Sequence, residues 1–248
     1  MLSVTKSSRF FCPFCVNGMK NNRQIQNKSR EQLRKLVMLS LFTAVAYLSM
    51  YIVNFKVAFL TFDIKNVFIT VAAMIYGPLE GVIVSLLAAL LELPSSSTGF
   101  YGFIMNFISS ASFSVIASLI YRMKRTPAFS YISLAAATLG STAFMMIANL
   151  FITPYYMGGT MSEVAALIPK LLFPFNLIKC LVNAGGVLIF YKPISMVLRR
   201  GGILKKEGGE GRYLSLRTGL TVLIALVMIV LSLVIFFLIL GGNVDMGK

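Results

Sequence analysis

The chain has 248 residues, 57% of them hydrophobic and only 12% charged, with a mean hydropathy of +0.82; a soluble domain carries about 25% charged residues, so an ordinary soluble domain is excluded and an integral membrane protein implied. The 23 Lys and Arg against 8 Asp and Glu, net +15, would suggest nucleic acid in a soluble chain; here they read as a record of topology, with lipid and not nucleic acid as the surroundings. There is no His, which excludes Ser-His triads and HExxH zinc peptidases, and no P-loop, so any ATPase must be a separate protein.

Residues 1–35 hold eight Lys and Arg against Glu31 and read as a basic cytoplasmic tail. No secretory signal is expected, because about 35 polar residues precede the first apolar run. Cys12 and Cys15 have the spacing of half a zinc knuckle, but a structural zinc needs four ligands and neither Cys nor His lies near, so no metal site is assigned. Three cysteines make no disulfide framework. The first span is expected over 36–53, followed by a mixed segment, 54–65.

Residues 66–93 are almost continuously apolar, interrupted by Gly77-Pro78. One helix of that length would reach about 42 Å, too long for one comfortable crossing. The helix-breaking pair splits it into short spans, 66–76 and 79–93, which must be shielded by neighbouring helices or be re-entrant. Further spans are expected over 101–121, 129–151 (ending at Thr153-Pro154), 169–191 and 214–240, with a loop at 152–168 and a basic linker at 196–213. Eighteen of the 23 positive charges lie in three clusters, before span one, after span four and after span six. All three fall on one side only if 66–93 crosses twice. The expected fold is therefore an all-α membrane protein of seven spans, multi-pass in the cell membrane. Its N terminus lies in the cytoplasm, its short tail 241–248 outside, and its outer loops at 54–65, 94–100 and 152–168.

Polar side chains inside membrane helices are functional candidates. Asn176, Lys179 and Asn183 form one stripe at i, i+3 and i+7 of span six. Asn149, Asn106, Glu92, Asp63 and Lys65 are expected at similar depth, near the outer loops. Phe103, Met105, Phe107, Phe173, Phe175 and Tyr155 add aromatic and sulfur surface. Amides, one amine and flat apolar faces suit a planar heteroaromatic ligand; the plainer alternative is polar glue between helices. Ser40 and Ala44 make a small-xxx-small step on span one that would admit a second helix, within the chain or from a partner. Without His, no nucleophile and base pair is evident, so no enzyme is expected. A stand-alone ion-coupled secondary transporter, with Asp63, Glu92 and Lys179 as coupling groups, is a second reading.

Several spaced elements bear a resemblance: Thr61-Phe-Asp63-Ile-Lys65-Asn66, Ile75-Tyr-Gly77-Pro78-Leu79, Glu92, Ser97-Thr98-Gly99, Met105-Asn106-Phe107, Tyr121-Arg122, Ile152-Thr153-Pro154-Tyr155-Tyr156-Met157-Gly158, and Leu172-Phe-Pro174-Phe175-Asn176-Leu-Ile-Lys179. Over 36–195 they resemble the substrate-binding S component of energy-coupling factor (ECF) vitamin transporters, in particular the riboflavin-specific type. The resemblance implies a six-helix core with a vitamin pocket near its outer face, here followed by a seventh helix. It implies substrate contacts from Asn149, Asn176 and Lys179, and docking through Ser40 and Ala44 on a transmembrane coupling subunit that works with two cytoplasmic ATPases. Riboflavin would be cargo, not a cofactor. Asp63-Ile-Lys65-Asn66 departs from the Asp-Phe-Ser-Asp form of many riboflavin members, which leaves another vitamin or a flavin relative as alternative ligands.

Overall fold

The computed structural model describes residues 13–52, 54–57, 60–95, 99–124, 126–202, 216–239 and 244–245. Cys12, Ser97, Thr98 and most of the basic linker lie outside these. The chain divides into two compact units, Met1–Met38 and Leu39–Lys248. The first includes the start of helix α1 (Pro13–Ile52), where Lys28, Arg30 and Arg34 are exposed.

After α1 come strands β1 (Asn54–Val57) and β2 (Leu60–Asp63), then helices α2 (Lys65–Tyr76), α3 (Pro78–Glu92), α4 (Gly99–Met123), α5 (Pro127–Met157), α6 (Met161–Leu167), α7 (Phe173–Arg200) and α8 (Leu216–Ile239), and a short strand β3 (Val244–Asp245). Four described stretches are long and apolar enough to cross a membrane: Lys28–Ile52, Gly99–Met123, Phe129–Tyr155 and Met161–Arg200.

The apolar run does break at Gly77, which adopts φ +141°, a conformation that favours glycine. Pro78 then starts α3 where a missing N–H costs nothing. At 12 residues α2 spans about 18 Å, well short of a bilayer core. Nearly all of it is buried, Val67, Ile69 and Val71–Met74 among the rest, because α3, α4 and α7 surround it. A helix sheltered by protein need not match the lipid thickness. On α3, by contrast, Leu79, Ile83, Leu86, Leu87, Leu90 and Leu91 are exposed while Gly81, Val84, Ser85, Ala88 and Ala89 face inward, the division expected of a helix at the lipid boundary.

Several expectations need correction. The outer segment 54–65 is an antiparallel hairpin, with Asn54 opposite Asp63 and Val57 opposite Leu60, so the all-α bundle carries a small sheet. Helix α5 does not stop at Thr153-Pro154 but runs through Pro154 to Met157, ending where Gly158 turns left-handed (φ +68°) and donates its N–H to the Pro154 carbonyl. The loop 152–168 also contains α6, started by a reciprocal capping box between Thr160 and Glu163. Span six enters through a π-helical turn, Ile168–Leu172, that contains Pro169, and continues beyond Tyr191 through Pro193 to Arg200. Membrane helices tolerate such prolines where neighbours satisfy the freed backbone.

Helix α8 packs on α7. A Cβ on Gly185 would lie 2.8 Å from Ile229 and 3.1 Å from the Ala225 carbonyl, so α7 presents bare backbone to α8. The Tyr131 and Thr221 hydroxyls, 2.5 Å apart, join α8 to α5. Beyond α8, β3 pairs antiparallel with β1, Lys56 opposite Asp245 and Val57 opposite Val244, giving sheet order β2-β1-β3. The hairpin and the chain's far end thus lie on one side. Six crossings between them satisfy this and five do not, so the pairing supports the double crossing of 66–93 independently of the charges.

Candidate functional site

Asp63 ends β2, Lys65 opens α2, Glu92 closes α3 and Lys179 lies near the start of α7, and the fold brings all four charges together. Asp63 is fully buried, and Lys65, Glu92 and Lys179 are 2%, 6% and 6% exposed. The Lys179 Nζ donates to Asp63 Oδ2 and to the Thr61 carbonyl, both at 2.9 Å. Lys65 Nζ lies 3.7 Å from the same Asp63 oxygen and donates to Glu92 Oε2. The Lys65 backbone N–H donates to Asp63 Oδ1 at 3.3 Å. Two ammonium groups and two carboxylates make a neutral row, Glu92, Lys65, Asp63, Lys179, in which each interior charge lies between two of opposite sign. Neutrality with charge-assisted hydrogen bonds is what allows such groups to be withdrawn from water. Burial presses the Asp63 carboxyl toward the protonated form, but Lys179 and Lys65 outweigh it and hold the group below the usual carboxylate range.

The Lys65–Glu92 contact also shows α2 and α3 to be the two limbs of one hairpin, since it joins the beginning of the apolar run to its end. The Asp63–Lys179 bond ties the β-hairpin to α7. Phe62 and Phe175 meet edge to face beside it, ring centroids 6.3 Å apart, both fully buried.

The stripe on α7 is buried along its length: Asn176 4%, Lys179 6%, Asn183 0% exposed. Asn183 Nδ2 donates to the Lys179 carbonyl at 2.8 Å and reaches the Asp63 carbonyl at 3.5 Å. Asn176 Nδ2 donates to the Leu172 carbonyl at 2.8 Å, where the π-helical turn ends. On α5, which packs against α7, the buried Asn149 donates to the Met145 carbonyl at 2.7 Å and accepts from Thr153 Oγ1 at 3.0 Å. An ammonium has three donors and an amide nitrogen two. After these bonds Lys179 keeps one N–H, and Asn149 and Asn176 keep one each, with Asn176 Oδ1 as an acceptor.

Other expected residues lie elsewhere. Tyr155 is 71% exposed and stacks on Tyr101, centroids 6.4 Å apart; it is not drawn into the charged row. Phe173 is 47% exposed, so Phe175 alone of that pair points inward. Asn106 is half-buried on α4. Two further polar links complete the region: Ser110 Oγ, which has no counterpart in the sequence reading, donates to Asn66 Oδ1 at 2.7 Å and joins α4 to α2, and the Thr61 carbonyl receives Lys179. Asn66, an amide at a span end, carried a signal; a backbone carbonyl carries none. Ser40 and Ala44 are exposed on α1 beside Leu41 and Leu48, while Phe42, Thr43, Ala46, Ser49 and Met50 are buried. The small-residue step therefore faces away from the core and is not internal packing.

A helical membrane bundle with a buried polar and charged site near one end is the arrangement of a membrane-embedded binding protein, and residues 34–195 match the family described as ECF transporter, substrate-specific component. The chain belongs to that family, one of transporter components rather than enzymes. It is 28% identical over 194 residues, 75% of this chain and all of the relative, to the riboflavin transporter RibU of Staphylococcus aureus (strain TCH60). A solved chain described under "Structure and mechanism of the S component of a bacterial ECF transporter" superposes with a TM-score of 0.59 at 29% identity, covering 68% of this chain and 99% of that one. The family match ends at residue 195, before α8 and β3.

Proposed function

We propose that the protein binds riboflavin between α5, α7 and the β-hairpin and delivers it across the membrane as the S component of an ECF-type importer. The observation that carries this reading is the unused donors of Lys179, Asn176 and Asn149 on buried, adjoining helix faces. The pyrimidine-like edge of an isoalloxazine presents two carbonyl acceptors flanking an N–H, which those donors and Asn176 Oδ1 complement. Similarity to a riboflavin transporter supports the choice of vitamin. The N terminus is read as cytoplasmic from its charge, which puts the hairpin and pocket outside.

Riboflavin titrated into detergent-purified protein is expected to lose its fluorescence at stoichiometric concentrations, and mass spectrometry of the extracted protein to find a flavin. A folded protein that leaves micromolar riboflavin unquenched overturns the assignment of the vitamin. Asn149→Ala and Asn176→Ala are each expected to raise the dissociation constant about tenfold, the worth of one buried hydrogen bond.

Importer function requires partners, and the outward-facing Ser40 and Ala44 are the proposed docking step for a transmembrane coupling subunit, with ATP hydrolysis supplied by two cytoplasmic ATPases. Ala44→Leu would fill the small-residue step that a partner helix needs. It is expected to abolish cellular riboflavin uptake while leaving riboflavin binding by the purified protein unchanged. Uptake that persists without the ATPases, driven by an ion gradient, would overturn the importer reading.

A further inference from the structure

We infer that Lys65 and Glu92 are positioning residues: Lys65, held by Glu92, braces Asp63 and so fixes Lys179 in its binding geometry, and neither touches the ligand itself. The inference rests on the pocket proposed above. Asp63 Oδ2 is shared by two ammonium groups, at 2.9 Å from Lys179 and 3.7 Å from Lys65. The unequal sharing follows from Glu92, which draws Lys65 toward α3 and leaves the closer contact on Asp63 to Lys179.

The row therefore has a built-in dependence. Without the Glu92 charge, Lys65 has only Asp63 as a described ion-pair partner and competes with Lys179 for it. Without the Lys65 charge, two buried carboxylates share one ammonium. With both removed, Asp63 and Lys179 remain as a neutral pair with their own hydrogen bonds. Removing one partner of a buried pair is costly, whereas removing both together costs far less.

The test is a double-mutant cycle of Lys65→Met, Glu92→Gln and the two combined, read in three ways: riboflavin affinity, the absorption spectrum of bound riboflavin, and thermal unfolding without ligand. Each single substitution is expected to raise the dissociation constant about tenfold, shift the bound-flavin spectrum through altered hydrogen bonding to the ring, and lower the unfolding temperature. The double variant is expected to recover all three. If unfolding recovers but affinity and spectrum do not, Lys65 or Glu92 contacts the ligand and the inference fails. It fails equally if the unfolding effects simply add, or if the singles change stability without moving the spectrum. Were the wild-type protein not to bind riboflavin, the vitamin assignment would fall, while the ligand-free unfolding cycle would still test the clasp.

Discussion

Lys179→Ala is expected to raise the riboflavin dissociation constant by at least about a hundredfold, a loss of about 3 kcal/mol or more. The substitution removes the donor proposed for the ligand and also breaks the row. Asp63, fully buried, would keep only the more distant Lys65 ammonium and its backbone N–H, and the Thr61 carbonyl would lose its donor. Breaking one side of a buried pair typically costs about 3–5 kcal/mol of stability, so unfolding temperature should fall together with affinity. The two effects separate in Asp63→Asn combined with Lys179→Met, which leaves the neutral Lys65–Glu92 pair in place. Stability should largely return and riboflavin binding should not. Lys179→Arg is expected to fail as well, because a planar guanidinium cannot take the place of a compact ammonium held between two acceptors with a third donor to spare. Fluorescence titration and thermal unfolding in detergent check all three variants. Wild-type affinity in Lys179→Ala would remove this residue from the pocket.

The second large effect is expected from a single methyl group. A Cβ on Gly186 would lie 2.6 Å from Val67 Cγ2, so α7 and α2 touch there through bare backbone. Gly186→Ala must push the helices apart or distort Val67, at a cost of about 1–3 kcal/mol, and Gly186→Leu should prevent folding. The displacement would be felt at the proposed binding site, since Gly186 lies seven residues, about 10 Å along the helix, from Lys179, and Val67 lies in the first turn of α2, two residues after Lys65. Val67→Ala removes the clashing Cγ2 methyl and its Cγ1 neighbour. The combined Val67→Ala, Gly186→Ala variant should regain most of the unfolding temperature and riboflavin affinity lost in Gly186→Ala. If Gly186→Ala unfolds like wild type, the two helices are not in contact at this point.

Much of the helical framework was readable because its signals are local. The apolar runs, the Gly77-Pro78 break and the three basic clusters each act over a few residues, and together they required the hairpin of α2 and α3. The spacing of Asn176, Lys179 and Asn183 placed them on one face, and all three are buried there. Less was readable where structure depends on distant partners. Asp63 and Lys179 are 116 residues apart, and nothing at either position names the other. The β-hairpin escaped notice because a short mixed segment carries little alternation, and its third strand comes from the opposite end of the chain. Pro154 looked like a stop, yet the left-handed Gly158 four residues later ends the helix. Phe173 and Phe175 are equivalent by composition, but α7 begins at Phe173 and its rotation turns only Phe175 inward.

The order β2-β1-β3 has a consequence for how molecules meet one another. A two-stranded ribbon standing clear of a helical bundle would offer two open edges to any neighbour with an extended segment. Here β2 is anchored to the bundle through Phe62 and Asp63, β1 is paired with β2 along its length and with β3 at Lys56 and Val57, and the edge strand β3 is itself two residues long. So short an edge is a poor template for another strand. By pairing residues 244–245 with the hairpin, the chain guards that side of the ribbon against pairing with its counterpart on another copy.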